Sequence, residues 1–516
     1  MARLNTSVHH VRVAVFAAAL LGTLAIALAP TPAGLSPQGQ YALATMFFAA
    51  VLWVTRAIPL PVTALSIPIV LVVFGVYDSI DPALTGFADP LIFLFIAGFM
   101  LANALQKYHI DRRIALRIME TLGFTPRLLI LAVMVATAFL SMWVSNTATA
   151  AMMLPIALGI LSEVVDDAVV EEGSPSNMQV ATLLGVAYAA SVGGVGTLIG
   201  TPPNAVVVAF LDRLVGYQLT FADWLVVGIP VVVLTLPLLW YILAFHLYPP
   251  EVEDIHNARE RAAEILEDEG DLGPYGRRVA IIFALTAGLW MLGGLGFLFR
   301  GVFSDPVFVT LFGGAGENVF GGTGHQGVLY FVVVGLLAIP ALVLAGAADW
   351  DDLADIDWGT IILFGGGISL ADALANTGGT GWLANAIFGA LVAAPAALVV
   401  FVVIVFAITM TEMTSNTATT SIIAPVLIGI GGLLSGTLGL APRPAAVFLA
   451  VVGGLAASFA FALPVATPPN ALVFGSGHVE QRQMLRAGIL LNVVMSIVLT
   501  VLVVVLYLTL WPLVLW

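Results

Sequence analysis

Three features of this sequence predict an all-α polytopic membrane protein. Of its 516 residues 60% are hydrophobic and only 9% charged, with a mean hydropathy of +1.07. Apolar runs such as Val11–Ala29, Val279–Leu298 and Ile489–Leu515 reach the roughly 20 residues that span a bilayer as helix. Two polar motifs recur in the same order in both halves. A soluble domain of this length needs a polar shell that such a composition does not supply. Membrane strands would alternate in short segments, and these runs do not. The expectation is about 11 transmembrane helices in two inverted-topology repeats, each with a re-entrant hairpin and a broken helix.

The elements follow in order. Arg3 and Arg12 precede the apolar run Val13–Leu28, a start that resembles a signal peptide. An uncleaved first helix is expected, because further spans follow at once. Segments 41–56 and 58–76 are separated by the Arg56, Pro59 and Pro61 cluster, and 90–106 is a fourth span. The stretch from Lys107 to Glu120 places Arg113 and Arg117 at i,i+4, as either a membrane-surface helix or an ordinary loop helix. Segment 126–162 is interrupted at Ser145-Asn146-Thr147, and 178–211 at Gly200–Asn204; 222–247 is one more span. An acidic linker, 248–278, separates the halves. The second half then offers 279–299, 326–346 and 358–376, an interrupted 395–435, an interrupted 445–476 and a last span 487–515.

The repeat is visible residue by residue. LFIAGFMLANAL (Leu94–Leu105) aligns without a gap to LFGGGISLADAL (Leu363–Leu374), and SMWVSNTATAAMMLP (Ser141–Pro155) to TEMTSNTATTSIIAP (Thr411–Pro425). Some fifty residues after each comes GTPPNA (Gly200–Ala205) or ATPPNA (Ala466–Ala471). Basic residues set the orientation. With the N-terminus cytoplasmic and both Ser-Asn-Thr segments entering and leaving on one side, 14 of the 17 basic residues fall inside, leaving only Arg213, Arg300 and Arg443 outside. Full crossings at those segments would weaken the bias. Charge thus favours re-entrant hairpins, one from each face, a common plan of secondary transporters.

Irregular backbone at membrane depth is tolerated only where protein or a water-filled cavity satisfies it. Ser-Asn-Thr before a helix-forming run is N-cap chemistry, and the amides left over, with the positive end of the helix dipole, suit an anion. The same tips suit a cation. Ser141 and Ser145, like Thr411 and Ser415, share a helix face at i,i+4, and the Thr-Pro-Pro-Asn breaks free carbonyls because proline donates nothing. One cation site per repeat is expected, each built from a tip and a broken helix. A single such motif in a membrane helix is ordinarily a helix–helix hydrogen-bonding cluster. Its pairing, in one order and at equal spacing, favours function.

Other candidates are weaker. Glu412, inside the second motif, either carries a proton or satisfies backbone donors beneath the tip. Asp89 and Asp372 are expected as helix caps. The seven histidines, His9, His10 and His256 among them, form no metal-spaced set, and the glycines at Gly365–Ile368 lack a phosphate-loop pattern. No catalytic set such as HExxH occurs, so no enzyme is expected. The net charge of −14 offers no basic surface for nucleic acid. Lys107 is the only lysine, and there is no cysteine; acidic, lysine-poor loops suit a high-salt cytoplasm, and base composition produces the same bias.

In these motifs the chain resembles the divalent-anion:sodium symporters, which include sodium-coupled dicarboxylate and citrate transporters, and the resemblance covers nearly its whole length. It implies a first Na⁺ site at Ser141, Ser145, Asn146 and Gly200, and a second at Thr411, Ser415, Asn416 and Ala466. It implies that substrate carboxylates meet Ser145, Asn146, Thr147, Ser415, Asn416 and Thr417, with Thr467 and Pro468 alongside. It also implies a homodimer working by an elevator motion, with a scaffold (1–125 and 279–394) and a transport domain (126–247 and 395–516). The expected function is Na⁺-coupled symport of C4-dicarboxylates such as succinate, malate and fumarate across the plasma membrane, with Na⁺ the coupling ion and no cofactor. A dicarboxylate exchanger, or a sulfate or citrate carrier of the same fold, is the alternative; a passive channel gains nothing from paired cation sites.

Overall fold

The computed structural model describes residues 2–122, 125–164, 175–251 and 263–515. The first half contains α1 (Ala2–Leu28), α2 (Pro37–Thr55), α3 (Leu60–Val73), α4 (Pro90–Lys107), α5 (Ile110–Leu122), α6 (Pro126–Ser141), α7 (Asn146–Val164), α8 (Asn177–Gly194), α9 (Pro202–Val215) and α10 (Phe221–Tyr241). The second contains α11 (Pro274–Gly294), α12 (Phe331–Leu344), α13 (Trp358–Asn376), α14 (Gly379–Phe388), α15 (Ala396–Met413), α16 (Asn416–Leu438), α17 (Pro442–Ala456), α18 (Pro468–Gly475) and α19 (Gln481–Thr509). Pro90, Pro126, Pro202, Pro442 and Pro468 each stand in a first turn, where a missing N–H costs nothing.

The chain is a helical membrane protein. Among the described residues, eight helices are long and apolar enough to cross a bilayer, and six more apolar helices are shorter. The short ones include α6, which ends just before Ser145-Asn146-Thr147, and α7, which starts within it. Large apolar side chains lie bare on the outside, Val73, Leu285, Leu344 and Val501 among them, as a lipid-facing surface requires. α8, by contrast, is buried almost all round and is hydrophobic or small from Val180 onward.

Several expectations need correction. The breaks lie upstream of Pro-Pro-Asn: residues 195–201 and 457–467 are irregular, and each Pro-Pro-Asn opens the next helix. Proline is disruptive inside a helix but preorganised at its start, so the motif marks a restart rather than a stop. α14, between 376 and 395, was not expected. Neither was the antiparallel pair β1 (Gly314–Glu317) and β2 (Thr323–His325), placed in a glycine-rich stretch that hydropathy passes over. The stretch after Lys107 is a helix, but Arg112 and Arg113 bind the linker: Arg112 pairs with Glu269 at 2.7 Å and Arg113 donates to the Glu269 and Gly270 carbonyls. His256, Arg259, Arg261 and most of the acidic stretch from Glu163 to Glu172 lie outside the described residues.

The two motif-bearing units interlock. α6 packs on α8, and α16 on α17; across the halves α9 packs on α16 and α17, and α18 on α7 and α8. α13 packs on α3 and also touches α9 and α16, so its glycines 365–367 serve close helix packing.

Candidate functional site

α6 and α7 meet at a turn over 142–145, and α15 and α16 at Thr414–Ser415. Each turn ends in the predicted cap: Ser145 Oγ accepts from the Ala148 N–H at 3.3 Å, and Ser415 Oγ from the Ala418 N–H at 3.1 Å. Behind each tip the upstream hydroxyl is fully buried. Ser141 Oγ lies 2.7 Å from both Asn146 Oδ1 and the Ala190 carbonyl; Thr411 Oγ1 lies 2.7 Å from Asn416 Oδ1 and 2.8 Å from the Ala457 carbonyl.

The broken helices supply the facing walls. Asn204 Nδ2 donates to the Gly194 and Thr197 carbonyls at 2.9 and 2.7 Å, folding the first break loop over the start of α9. Asn470 Nδ2 does the same for the second through Ala460 and Leu463, at 3.2 and 3.1 Å. The equivalent oxygens, Asn204 Oδ1 and Asn470 Oδ1, are buried with no protein donor. Glycine is required in the first loop: a Cβ on Gly194 would lie 2.2 Å from Asn146 Oδ1, and one on Gly200 would lie 2.5 and 2.8 Å from the Gly194 and Ser141 carbonyls. These are neutral, hard oxygens crowded around a cradle without side chains, a donor set that fits Na⁺.

Both tips and both restarts open onto one cavity of about 930 Å³. Ser145, Asn146, Thr147, Ser415, Asn416, Thr417, Thr467 and Pro468 all line it. The cation candidates Ser141, Thr411, Gly200 and Ala466 stand behind that wall and are buried. The cavity also holds residues the motif argument missed. Thr201 and Pro202 were signalled by the repeat itself, as counterparts of Thr467 and Pro468; Asn146 Nδ2 reaches Thr201 Oγ1 at 3.4 Å. Arg56, Asp357 and Thr360 also line it, with Arg56 donating to the Val465 carbonyl of the second break loop at 2.9 Å. Sequence gave no signal for these beyond the basic-proline cluster at 56–61. A second space of about 670 Å³, rimmed by Asp349, Asp351, Asp352 and Asp355, meets the first at Phe99, Ser145, Ala148 and Asp357.

Glu412 takes the second of its two expected roles. Its carboxylate accepts from the Phe461, Ala462 and Leu463 N–H groups at 2.7, 2.8 and 3.0 Å, and from Asn492 Nδ2 at 2.6 Å. Asp89 caps α4 through the Leu91 N–H at 2.9 Å, as expected. Asp372 is not a cap: it sits inside α13, and its carboxylate takes Nε and Nη2 of Arg213 at 3.1 and 2.6 Å. The same guanidinium reaches Asp89 at 3.2 Å.

With this geometry in place, the comparisons are specific. A family model described as the sodium:sulfate symporter transmembrane region matches residues 10–516. An uncharacterized transporter of Haemophilus influenzae is 39% identical over 459 residues, 89% of this chain and 90% of its own length. The sodium-dependent dicarboxylate transporter SdcS of Staphylococcus saprophyticus is 33% identical over 469 residues, 90% of this chain and 85% of its own. Among solved structures, the YdaH transporter of Alcanivorax borkumensis, titled as having an unusual topology, superposes with a TM-score of 0.52 over 83% of this chain and 87% of that one, at 15% identity.

Proposed function

We propose, since this chain belongs to the sodium:sulfate symporter family, that it is a Na⁺-coupled symporter of C4-dicarboxylates such as succinate, malate and fumarate. The observation that carries this reading is the convergence of two helix N-termini and two restarted helices on one cavity. In the proposal each tip holds one Na⁺. The first lies among Ser141, Ser145, Asn146 and the Gly200 backbone, the second among Thr411, Ser415, Asn416 and the Ala466 backbone. The substrate carboxylates take the hydroxyl, amide and backbone donors of Ser145, Asn146, Thr147, Ser415, Asn416 and Thr417, beside Thr467 and Pro468. Without Na⁺ the pocket offers only partial positive charge from helix termini, so a dianion binds well only once the cations are in place. Ion and substrate binding are then coupled through shared asparagines.

The proposal extends to the motion. Residues 126–247 and 395–516 form the moving unit of an elevator, carried by a scaffold of 1–125 and 279–394 within a homodimer, in a plasma membrane with the N-terminus cytoplasmic. The cavity wall at Arg56 and Asp357 then faces the cytoplasm. Radiolabelled succinate uptake into proteoliposomes tests the reading. Uptake that requires an inward Na⁺ gradient and overshoots equilibrium is expected, with none when K⁺ replaces Na⁺. Uptake driven by internal succinate alone would make the protein an exchanger, and transport of sulfate or citrate in its place would reassign the substrate.

A further inference from the structure

The two break loops share a detail that the transport reading does not use. Val195 and Phe461 stand nine residues before Asn204 and Asn470 respectively, and the carbonyl of each is held by a buried aromatic donor. Trp224 Nε1 donates to the Val195 carbonyl at 3.0 Å, and Tyr188 Oη to the Phe461 carbonyl at 2.9 Å. Both side chains are fully buried. The donors differ in origin. Trp224, on α10, belongs to the same repeat as the loop it holds, whereas Tyr188, on α8, belongs to the other one.

Tyr188 therefore sits in a chain of bonds running from one tip to the other. Thr411 Oγ1 lies against Asn416 Oδ1; the next residue, Glu412, holds the Phe461 N–H; Tyr188 holds the Phe461 carbonyl; and two residues on, the Ala190 carbonyl and Asn146 Oδ1 share the single hydroxyl proton of Ser141, each 2.7 Å from its Oγ. We propose that Tyr188 is a positioning residue that couples the two candidate cation sites, a proposal that rests on the two-site reading above. Filling the second site fixes Thr411 and Asn416 and with them the loop at Phe461. Through Tyr188 this sets the register of α8, whose Ala190 carbonyl positions Ser141 at the first site. Linkage makes the effect reciprocal, so filling the first site favours the second by the same factor. Trp224 does the same local work for Val195 without crossing between repeats and serves as the control.

The absence of cysteine gives a clean readout. A single Ala151→Cys, on the cavity wall beside the first tip, reports Na⁺ at that tip through its maleimide labelling rate in the purified full-length protein. With Tyr188 present, disabling the second site by Thr411→Val should raise the Na⁺ midpoint of the reporter roughly five-fold or more. In Tyr188→Phe the same change should move it less than about two-fold. In Trp224→Phe the midpoint itself should shift, but the Thr411→Val factor should persist. An equal factor with and without the Tyr188 hydroxyl would overturn the proposal. A Na⁺ response that Thr411→Val never alters would overturn it too, while sparing the cation reading; no Na⁺ response at all would sink both. Should Tyr188→Phe not fold, Glu412→Gln weakens the adjacent link and must also reduce the factor.

Discussion

The two tips hold their asparagines with the same bonds and support them by different means. In the first repeat the break loop comes up against the tip as bare backbone, because Gly194 and Gly200 have no side chains to keep it away. At the matching positions of the second repeat stand Ala460 and Ala466, and a carboxylate does the holding: Glu412 gathers three consecutive loop N–H groups, where the first repeat has Met142. Thr147 is exposed at the first tip, while Thr417 is 7% exposed at the second. Two tips built on one repeated motif thus keep the same bonds to their asparagines and differ in their scaffolding. Close approach makes the first site sensitive to added volume, and polar support makes the second sensitive to lost charge.

The largest expected effect follows from that second dependence. Glu412→Ala leaves three loop N–H groups and Asn492 Nδ2 without their acceptor. Each buried donor left unpaired costs about 1–3 kcal/mol, so a loss of roughly 3 kcal/mol or more in thermal unfolding is expected. Met142→Ala at the matching position should cost clearly less. Equal losses would show that the carboxylate is not the support of the second loop.

Volume gives the reverse test. Gly194→Ala drives a methyl into Asn146 Oδ1, and overpacking of this kind costs about 1–3 kcal/mol. Apparent Na⁺ affinity in succinate uptake should fall roughly ten- to hundred-fold, whereas Ala460→Gly should change it less than about three-fold. A tolerant Gly194 would mean that the first loop does not depend on close approach.

Much of this was legible in the chain itself. Composition and the long apolar runs were enough for the membrane class. The doubled Ser-Asn-Thr and Thr-Pro-Pro-Asn motifs marked eight of the residues that line the cavity, because polar groups are costly in hydrocarbon and stand out against it. Partners remote in sequence were not legible. Nothing local to Asp372 says that an arginine 159 residues earlier reaches it, so helix capping was the only role its neighbourhood offered. Arg56 and Asp357 escaped for the same reason: they stand at helix ends that carry neither the Ser-Asn-Thr nor the Thr-Pro-Pro-Asn motif. Local chemistry announces the tips, but only packing shows what faces them.

A second comparison, between the two ends of the seam that α13 and α4 make with their neighbours, yields the smaller effects. Arg213 lies eleven residues along α9 from Pro202, about 16 Å from the cavity at helical rise. There it is 27% exposed and serves Asp89 and Asp372, which are 4% and 13% exposed. Arg213→Gln leaves two carboxylates facing each other with little water. Breaking such a pair from one side costs several kcal/mol when fully buried; with this partial exposure roughly 2 kcal/mol is expected, largely recovered by adding Asp372→Asn. A double mutant no more stable than Arg213→Gln would show that charge is not the issue. Near the cavity end, Lys107 meets Asp352 at 2.5 Å with both side chains about a third exposed. Lys107→Ala should cost only about 0.5 kcal/mol. The Asp349 N–H and, after it, Lys107 hold the Asp352 carboxyl below its ordinary range. A carboxyl lowered in the folded state stabilises above its unfolded value, near pH 4, and loses that contribution as pH falls through the folded one. The Lys107→Ala penalty should therefore hold at neutral pH and fade as the pH drops below about 4. A penalty unchanged in acid would mean that the lysine stem, not its charge, packs against the acidic rim.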